Sequence, residues 1–281
     1  MHTEKIPDDI VAHYKQHGYC VVRNLVSDTL CDAVLKDMHA VFALQLEQAI
    51  VRSEAADIGY RATDLPGDME ALLSMNVGLY LAAAKQSAKL WAVQNLINHE
   101  SSKAFVEKLG LTLPTLPTQP VLHISSERLM VPGGYFGLAA HQDWPSIQGS
   151  LDCVIAWAPL TEVGPLDFPL TVFAGSHRNG LIDGEILPDM LKVDERSIRE
   201  YAPISIEASP GDMVFMSSWT VHRTKIENCR GFRLAVSSRW DNAAEATFAE
   251  RAYPSAYTRT VQRELMTPNF PHPEQVRAVF D

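Results

Sequence analysis

Pro114-Thr115-Leu116-Pro117-Thr118-Gln119-Pro120-Val121-Leu122-His123-Ile124 is where the chain changes character. Three prolines punctuate it, an apolar run then reads as a strand, and from there short strand-like runs alternate with turn signals. Candidate strands are Leu151 to Trp157, Leu170 to Phe173, Ile204 to Ile206, Met213 to Met216 and Phe232 to Ser238, separated by clusters such as Ser209-Pro210-Gly211-Asp212. Strands spaced in this way predict a barrel or sandwich.

Upstream of that boundary the pattern is mainly helical. Pro7-Asp8-Asp9 opens a short helix with Ile10, Val11 and Tyr14 on its apolar face, and Gly18 stands where it stops. Tyr19-Cys20-Val21-Val22 reads as a buried strand. Ser27 or Asp28 caps a longer helix through Leu30, Val34, Met38 and Phe42 towards Ala49. Between Gly67 and Gly110, helix-forming residues at helical spacing predict two or three more helices. The segment after Asp241 carries no clear signal. No repeat, low-complexity tract or linker divides the chain, so the expectation is one domain over 1–281: helix-rich 1–113, a β-rich core 114–241 and a tail 242–281.

Composition excludes several classes of function. Of 281 residues, 46% are hydrophobic and 21% charged, which is ordinary for a globular protein, and no run is apolar enough to span a membrane. A net charge of −10 argues against a phosphate-backbone partner, because such binding rests on clustered Lys and Arg. The first residues have neither a basic nor an apolar secretory region, so a cytoplasmic location is expected. Cys20, Cys31, Cys153 and Cys229 lack paired spacing and read as reduced thiols.

His141-Gln142-Asp143 sets an imidazole and a carboxylate two residues apart, and in extended chain both point to one side. Alone, such a pair arises readily by chance among ten histidines. His222, just beyond the strand Met213 to Met216, supplies a third ligand. Two His and one carboxylate on one face of a metal leave three positions open, whereas a structural zinc site is closed by four ligands. Open positions suit O2 and a chelating co-substrate on Fe(II). Arg233, eleven residues after His222, lies in a strand where Phe232, Leu234 and Val236 alternate with Arg233, Ala235 and Ser237. A buried Arg needs an anion, and its planar fork fits a carboxylate such as the distal one of 2-oxoglutarate. The competing reading is an ordinary surface ion pair.

These residues resemble the phytanoyl-CoA dioxygenase family of Fe(II)/2-oxoglutarate oxygenases from about Gly18 to Trp240. The matches run in order: Gly18 to Leu25 as the first strand, His141-Gln142-Asp143, Val154-Ile155-Ala156-Trp157, Gly175-Ser176-His177, Pro210-Gly211-Asp212, then His222, Thr224 and Arg233. The resemblance implies a mainly β fold with flanking helices, its core a double-stranded β-helix or cupin-like jelly roll. It implies that His141, Asp143 and His222 hold iron, that Arg233 and Thr224 bind the 2-oxoglutarate distal carboxylate, and that Trp157 lines the pocket. His123 is a further candidate there. For Thr224 a strand-end hydroxyl, for Trp157 core packing and for His123 a structural role are the alternatives. The segment Val163 to Pro169 departs from the family's pattern. His177 follows a turn and is left out of the ligand set, and Arg239, on the same alternating face as Arg233, is read as a structural salt bridge, with contact to an anionic substrate as the alternative.

The activity so implied is oxidation of an unactivated C–H bond with release of succinate and CO2; the substrate expected is a small or medium-sized polar metabolite rather than a long acyl-CoA, because no basic cluster for its phosphates is evident. An intact Asp143 points to hydroxylation or another C–H oxidation rather than halogenation, with desaturation and ring formation as alternatives that share the same iron site. Two other readings stand beside it: a cupin-like hydrolase or isomerase using Zn or Mn, which leaves Arg233 unexplained, and a catalytically silent jelly-roll binding protein. Residues Ser125 to Phe136 could form an entrance loop over the site.

Overall fold

A computed structural model describes residues 8–52, 63–131, 137–187, 190–254 and 274. Six helices and one strand precede the β core: α1 Asp8–His17, β1 Tyr19–Val22, α2 Asp28–Arg52, α3 Leu65–Met75, α4 Val77–Ser87, α5 Trp91–Ile97 and α6 Glu100–Leu109. In α2 the buried side chains Cys31, Val34, Met38, Phe42, Leu46 and Ala49 recur every three or four residues, a stripe that only a helix lines up. Where two or three helices were expected after Gly67, there are four. Asn76 is the reason: it ends α3 and its side chain accepts the Leu79 amide hydrogen at 2.9 Å to start α4, so a continuous apolar pattern is cut by one capping residue.

The β core comprises β2 Pro114–Thr115, β3 Val121–Ser125, β4 Val154–Pro159, β5 Leu170–Phe173, β6 Gly184–Ile186, β7 Leu191–Val193, β8 Pro203–Ile206, β9 Met213–Ser217, β10 His222–Thr224 and β11 Arg233–Asn242, with short helices α7 Trp144–Ile147 and α8 Ala246–Glu250. All pairings are antiparallel. One sheet runs β1-β9-β4-β11, with β2 and β3 both on the far side of β11, and a smaller one runs β10-β5-β8. This is the jelly roll expected, built as two facing sheets flanked by helices. The β6–β7 hairpin and β10 escaped the sequence pattern because these strands are only three residues long. β11 also runs to Asn242, past the expected edge of the core, and α8 follows it.

Period-two alternation sorts the large sheet's side chains. Val154, Ala156, Met213, Phe215, Leu234 and Val236 pack against the helices. Ile155, Trp157, Val214, Met216 and Ala235 face the small sheet. Both faces are covered, which is why every residue of β11 is buried although six of its ten residues are polar. Among the described residues no helix is long and apolar enough to cross a membrane, and all four cysteines are free and buried.

Gly18 joins α1 to β1 with φ +79°, and a Cβ there would lie 2.5 Å from both His177 Nδ1 and Thr220 Oγ1. Gly18→Ala therefore lowers stability by roughly 2–4 kcal/mol, combining a left-handed backbone with overpacking. Urea denaturation measures it, and a loss below about 1 kcal/mol would mean that the junction relaxes.

Candidate metal centre

The site is assembled at the edge of the small sheet. His141 and His222 exchange backbone hydrogen bonds, each amide donating to the other's carbonyl at 3.0 Å, so they form a directly opposed antiparallel pair with both rings on one face. The ring centroids are 4.3 Å apart. Asp143 does not continue the extended chain as the two-residue spacing suggested: with φ −75° and ψ −29° it turns into α7. The turn still carries its carboxylate to the histidines, Oδ1 lying 3.3 Å from His141 Nε2 and 3.8 Å from His222 Nε2. The three ligand atoms lie within 4.8 Å of one another, and all three residues are buried.

The other ring nitrogens are engaged. Nδ1 of His141 donates to the Ala139 carbonyl at 2.7 Å and Nδ1 of His222 to the Thr220 carbonyl at 3.0 Å. A carbonyl only accepts, so the hydrogen of each neutral ring sits on Nδ1 and the Nε2 lone pairs converge beside Oδ1. Two imidazole nitrogens and one carboxylate oxygen are a donor set for a divalent first-row metal, and the geometry fits one. Gln142, between the ligands, points away and is fully buried. Its Nε2 donates to the carbonyls of Gly180 and Trp219, and its Oε1 accepts from the Ile182 amide, which ties the two ligand-bearing segments together. Behind Asp143, Trp144 stacks on Trp219 at 4.5 Å, and Ser150 is bonded to Asp241.

β11 supplies the inner wall. Arg239 Nη2 donates to Asp143 Oδ2 at 2.9 Å and its Nη1 to Ser237 Oγ at 2.9 Å, while Ser237 Oγ is 2.8 Å from His123 Nε2. The salt bridge expected of Arg239 exists, but it is buried and its partner is the carboxylate of the trio. Arg233, 3% exposed, donates to Ser125 Oγ at 2.9 Å and to the Phe168 carbonyl, and lies over the Trp157 ring at 5.7 Å. Among the described residues no carboxylate pairs with Arg233. Trp157 is thus core and wall at once, packed with Ile155 and Val214 on one side and beneath the guanidinium on the other. Thr224, on β10 with its side chain to the same interior as His222, also lines the cavity, as does His123. These side chains line a narrow cavity of about 30 Å³. His177 lies elsewhere, bonded to the Lys15 carbonyl. Of the expected entrance loop, Ser125 belongs to β3 and residues 132–136 lie outside the described residues.

The electrostatics are those of a dry, cationic pocket. Burial pushes His222 down to about 4, helped by its neighbour His141. Burial also drives His123 well below the usual histidine range, and the charges of Arg233 and Arg239 add to it. Burial alone would raise Asp143, but the Arg239 charge and the histidines outweigh it and hold the carboxyl well below the usual range. Burial lowers Arg233 to about 10. For the metal-free protein the sign follows: unfolded histidines take up protons near pH 6.5 while folded His123 and His222 stay neutral, so stability is full above that pH and falls below it. Each contributes roughly 1 kcal/mol per pH unit, His222 down to about pH 4. Denaturation midpoints in EDTA between pH 7.5 and pH 5 measure this, and a flat profile would contradict it.

Sequence reasoning reached His141, Asp143, His222, Thr224, Arg233, Trp157 and His123, and the fold brings all seven to one cavity. It missed Ser125, visible only through the pairing Arg233↔Ser125, and Ser237, whose inward phase on β11 was the available signal.

The sequence profile of the phytanoyl-CoA dioxygenase (PhyH) family matches residues 14–235. No curated protein matches the chain. Among solved structures, the epimerase SnoN in complex with Fe3+, alpha-ketoglutarate and nogalamycin RO aligns with a TM-score of 0.57 at 17% identity, covering 84% of this chain and 83% of that one. The non-heme monooxygenase ThoJ aligns with a TM-score of 0.54 at 15% identity, covering 83% of this chain and 77% of its own. EctD from S. alaskensis, with 2-oxoglutarate and 5-hydroxyectoine, aligns with a TM-score of 0.50 at 16% identity, covering 87% and 80%. At such identities the likeness is one of fold.

Proposed function

The chain belongs to the phytanoyl-CoA dioxygenase family, and from that premise we propose that it is an Fe(II)- and 2-oxoglutarate-dependent oxygenase, its whole length acting as one catalytic domain. The observation that carries the reading is the pairing of a convergent His141–Asp143–His222 trio with Arg233, a buried guanidinium that no carboxylate among the described residues neutralises, in one cavity. A hydrolase or a silent scaffold has no use for that second feature.

His141, Asp143 and His222 would hold the iron through Nε2, Oδ1 and Nε2. When bound, the metal supplies activation of O2, coupling decarboxylation of 2-oxoglutarate to succinate with oxidation of a substrate C–H bond. Arg233 would take the distal carboxylate through its fork, with the Thr224 hydroxyl beside it and Trp157 as the floor. These groups position the co-substrate and exclude water; neutral His123 stays bonded to Ser237 and adds no further charge. We propose hydroxylation as the outcome, on a small polar metabolite. Three fold relatives carry, respectively, the names of an epimerase, a monooxygenase and a protein holding 5-hydroxyectoine, which supports a small-molecule substrate.

The test is succinate formation from 2-oxoglutarate by anaerobically iron-loaded protein exposed to O2, beside iron-dependent 2-oxoglutarate binding. Turnover that requires both iron and O2, and that disappears in His222→Ala, is the expected result. Absence of turnover together with absence of iron-dependent binding would overturn the reading in favour of the hydrolase or the scaffold.

A further inference from the structure

Arg239 holds one oxygen of Asp143 and leaves the other facing the two histidines. Oδ1 faces the two imidazoles, at 3.3 Å and 3.8 Å, whereas Oδ2 accepts from Arg239 Nη2 at 2.9 Å. The guanidinium cannot swing away freely. It sits on the inner face of β11 opposite Ile155, its second nitrogen is tied to Ser237 Oγ at 2.9 Å, and Ser237 is itself bonded to His123 at 2.8 Å. The whole chain His123–Ser237–Arg239–Asp143 is held by the pairing of β11 with β3 and β4.

We propose that Arg239 is a positioning residue that keeps Asp143 monodentate, an inference that rests on the metal site put forward above. The consequence is a matter of coordination number. Three protein donors on an octahedral ion leave three positions, two for a chelating 2-oxo acid and one for O2. A carboxylate free to bind through both oxygens would take a fourth, and co-substrate and O2 could no longer be accommodated together. The long reach and fixed fork of Arg suit this task, since one nitrogen grips Oδ2 while the other is anchored to Ser237. The interaction shares no atom with Arg233, whose partners are Ser125 and Phe168.

The experiment uses Co(II) as the metal, with Arg239→Leu, Arg239→Gln and Arg239→Lys beside the parent protein. Co(II) affinity, the ligand-field spectrum of the cobalt protein, and 2-oxoglutarate affinity of the cobalt protein are read separately. In Arg239→Leu, Co(II) affinity is expected to hold or tighten and the spectrum to change. Its 2-oxoglutarate affinity should fall by about 10- to 100-fold, the usual range for losing a residue that orients a ligand. Arg239→Lys and Arg239→Gln, each able to donate to Oδ2, should recover the parent spectrum and most of the 2-oxoglutarate affinity; they also carry the comparison if the Leu variant does not fold. An unchanged spectrum and unchanged 2-oxoglutarate binding in folded Arg239→Leu would overturn the proposal. So would loss of Co(II) affinity in all three variants, because Arg239 would then be needed for metal binding itself. A parent protein that binds neither Co(II) nor 2-oxoglutarate would instead sink the oxygenase reading, and the two failures are distinguishable.

Discussion

Asp143→Ala abolishes iron-dependent succinate formation and, in the metal-free protein, lowers stability by about 3–5 kcal/mol. The first effect follows from losing the only carboxylate of the trio. The second is specific to this fold. Asp143 is the anion that compensates Arg239, and both are buried. Without it the guanidinium keeps, among the described residues, a hydroxyl partner, Ser237, and no negative charge, and its Nε already lacks a partner among them. Removing one member of a buried pair costs far more than the pair contributes net, because the survivor's desolvation is no longer offset. Asp143→Ala combined with Arg239→Leu should therefore regain most of the lost stability and still bind no metal. Urea denaturation in EDTA separates the two effects. If Asp143→Ala proves as stable as the parent, the ion pair is not buried in solution.

Arg233→Met has the second large effect, and it falls on the co-substrate. The KM for 2-oxoglutarate should rise by about two to three orders of magnitude, the range expected when one partner of a desolvated charge pair is truncated. Stability should change little. Among the described residues the guanidinium pairs with no carboxylate, and burial already lowers it to about 10, a sign that carrying the charge there is costly. Replacing it with an apolar chain of similar length sacrifices hydrogen bonds to Ser125 and Phe168 but removes that cost. Arg233→Lys, which keeps the charge without the planar fork, should fall between parent and Met. A KM unchanged in Arg233→Met would remove Arg233 from the co-substrate site and take with it the observation on which the oxygenase reading rests.

Local pattern was enough for much of this molecule. The apolar stripe of α2, the alternation along β4, β9 and β11, and the spacing of His141, Asp143, His222 and Arg233 are properties of short windows. Backbone geometry turns such windows directly into faces: 3.6 residues per turn in a helix, two per repeat in a strand. Hence a helical region followed by a barrel or sandwich, and the candidate trio, were legible from residue patterns, while the jelly roll itself came from the family resemblance. What no window contains is the identity of the neighbour across the sheet. Asp143 and Arg239 are 96 residues apart, Ser125 and Arg233 108, and His123 and Ser237 114. Alternation said that Arg233, Ser237 and Arg239 share a face, but only the register of β11 against β3 and β4 decided which of them meets Asp143 and which faces the cavity with no carboxylate partner among the described residues. That register is selected by burying both faces of the large sheet at once, a property of the packed whole. The turn at Asp143 belongs with it, because a helical residue reaches the histidines only where Gln142, Trp144 and Arg239 all find their partners in the assembled fold.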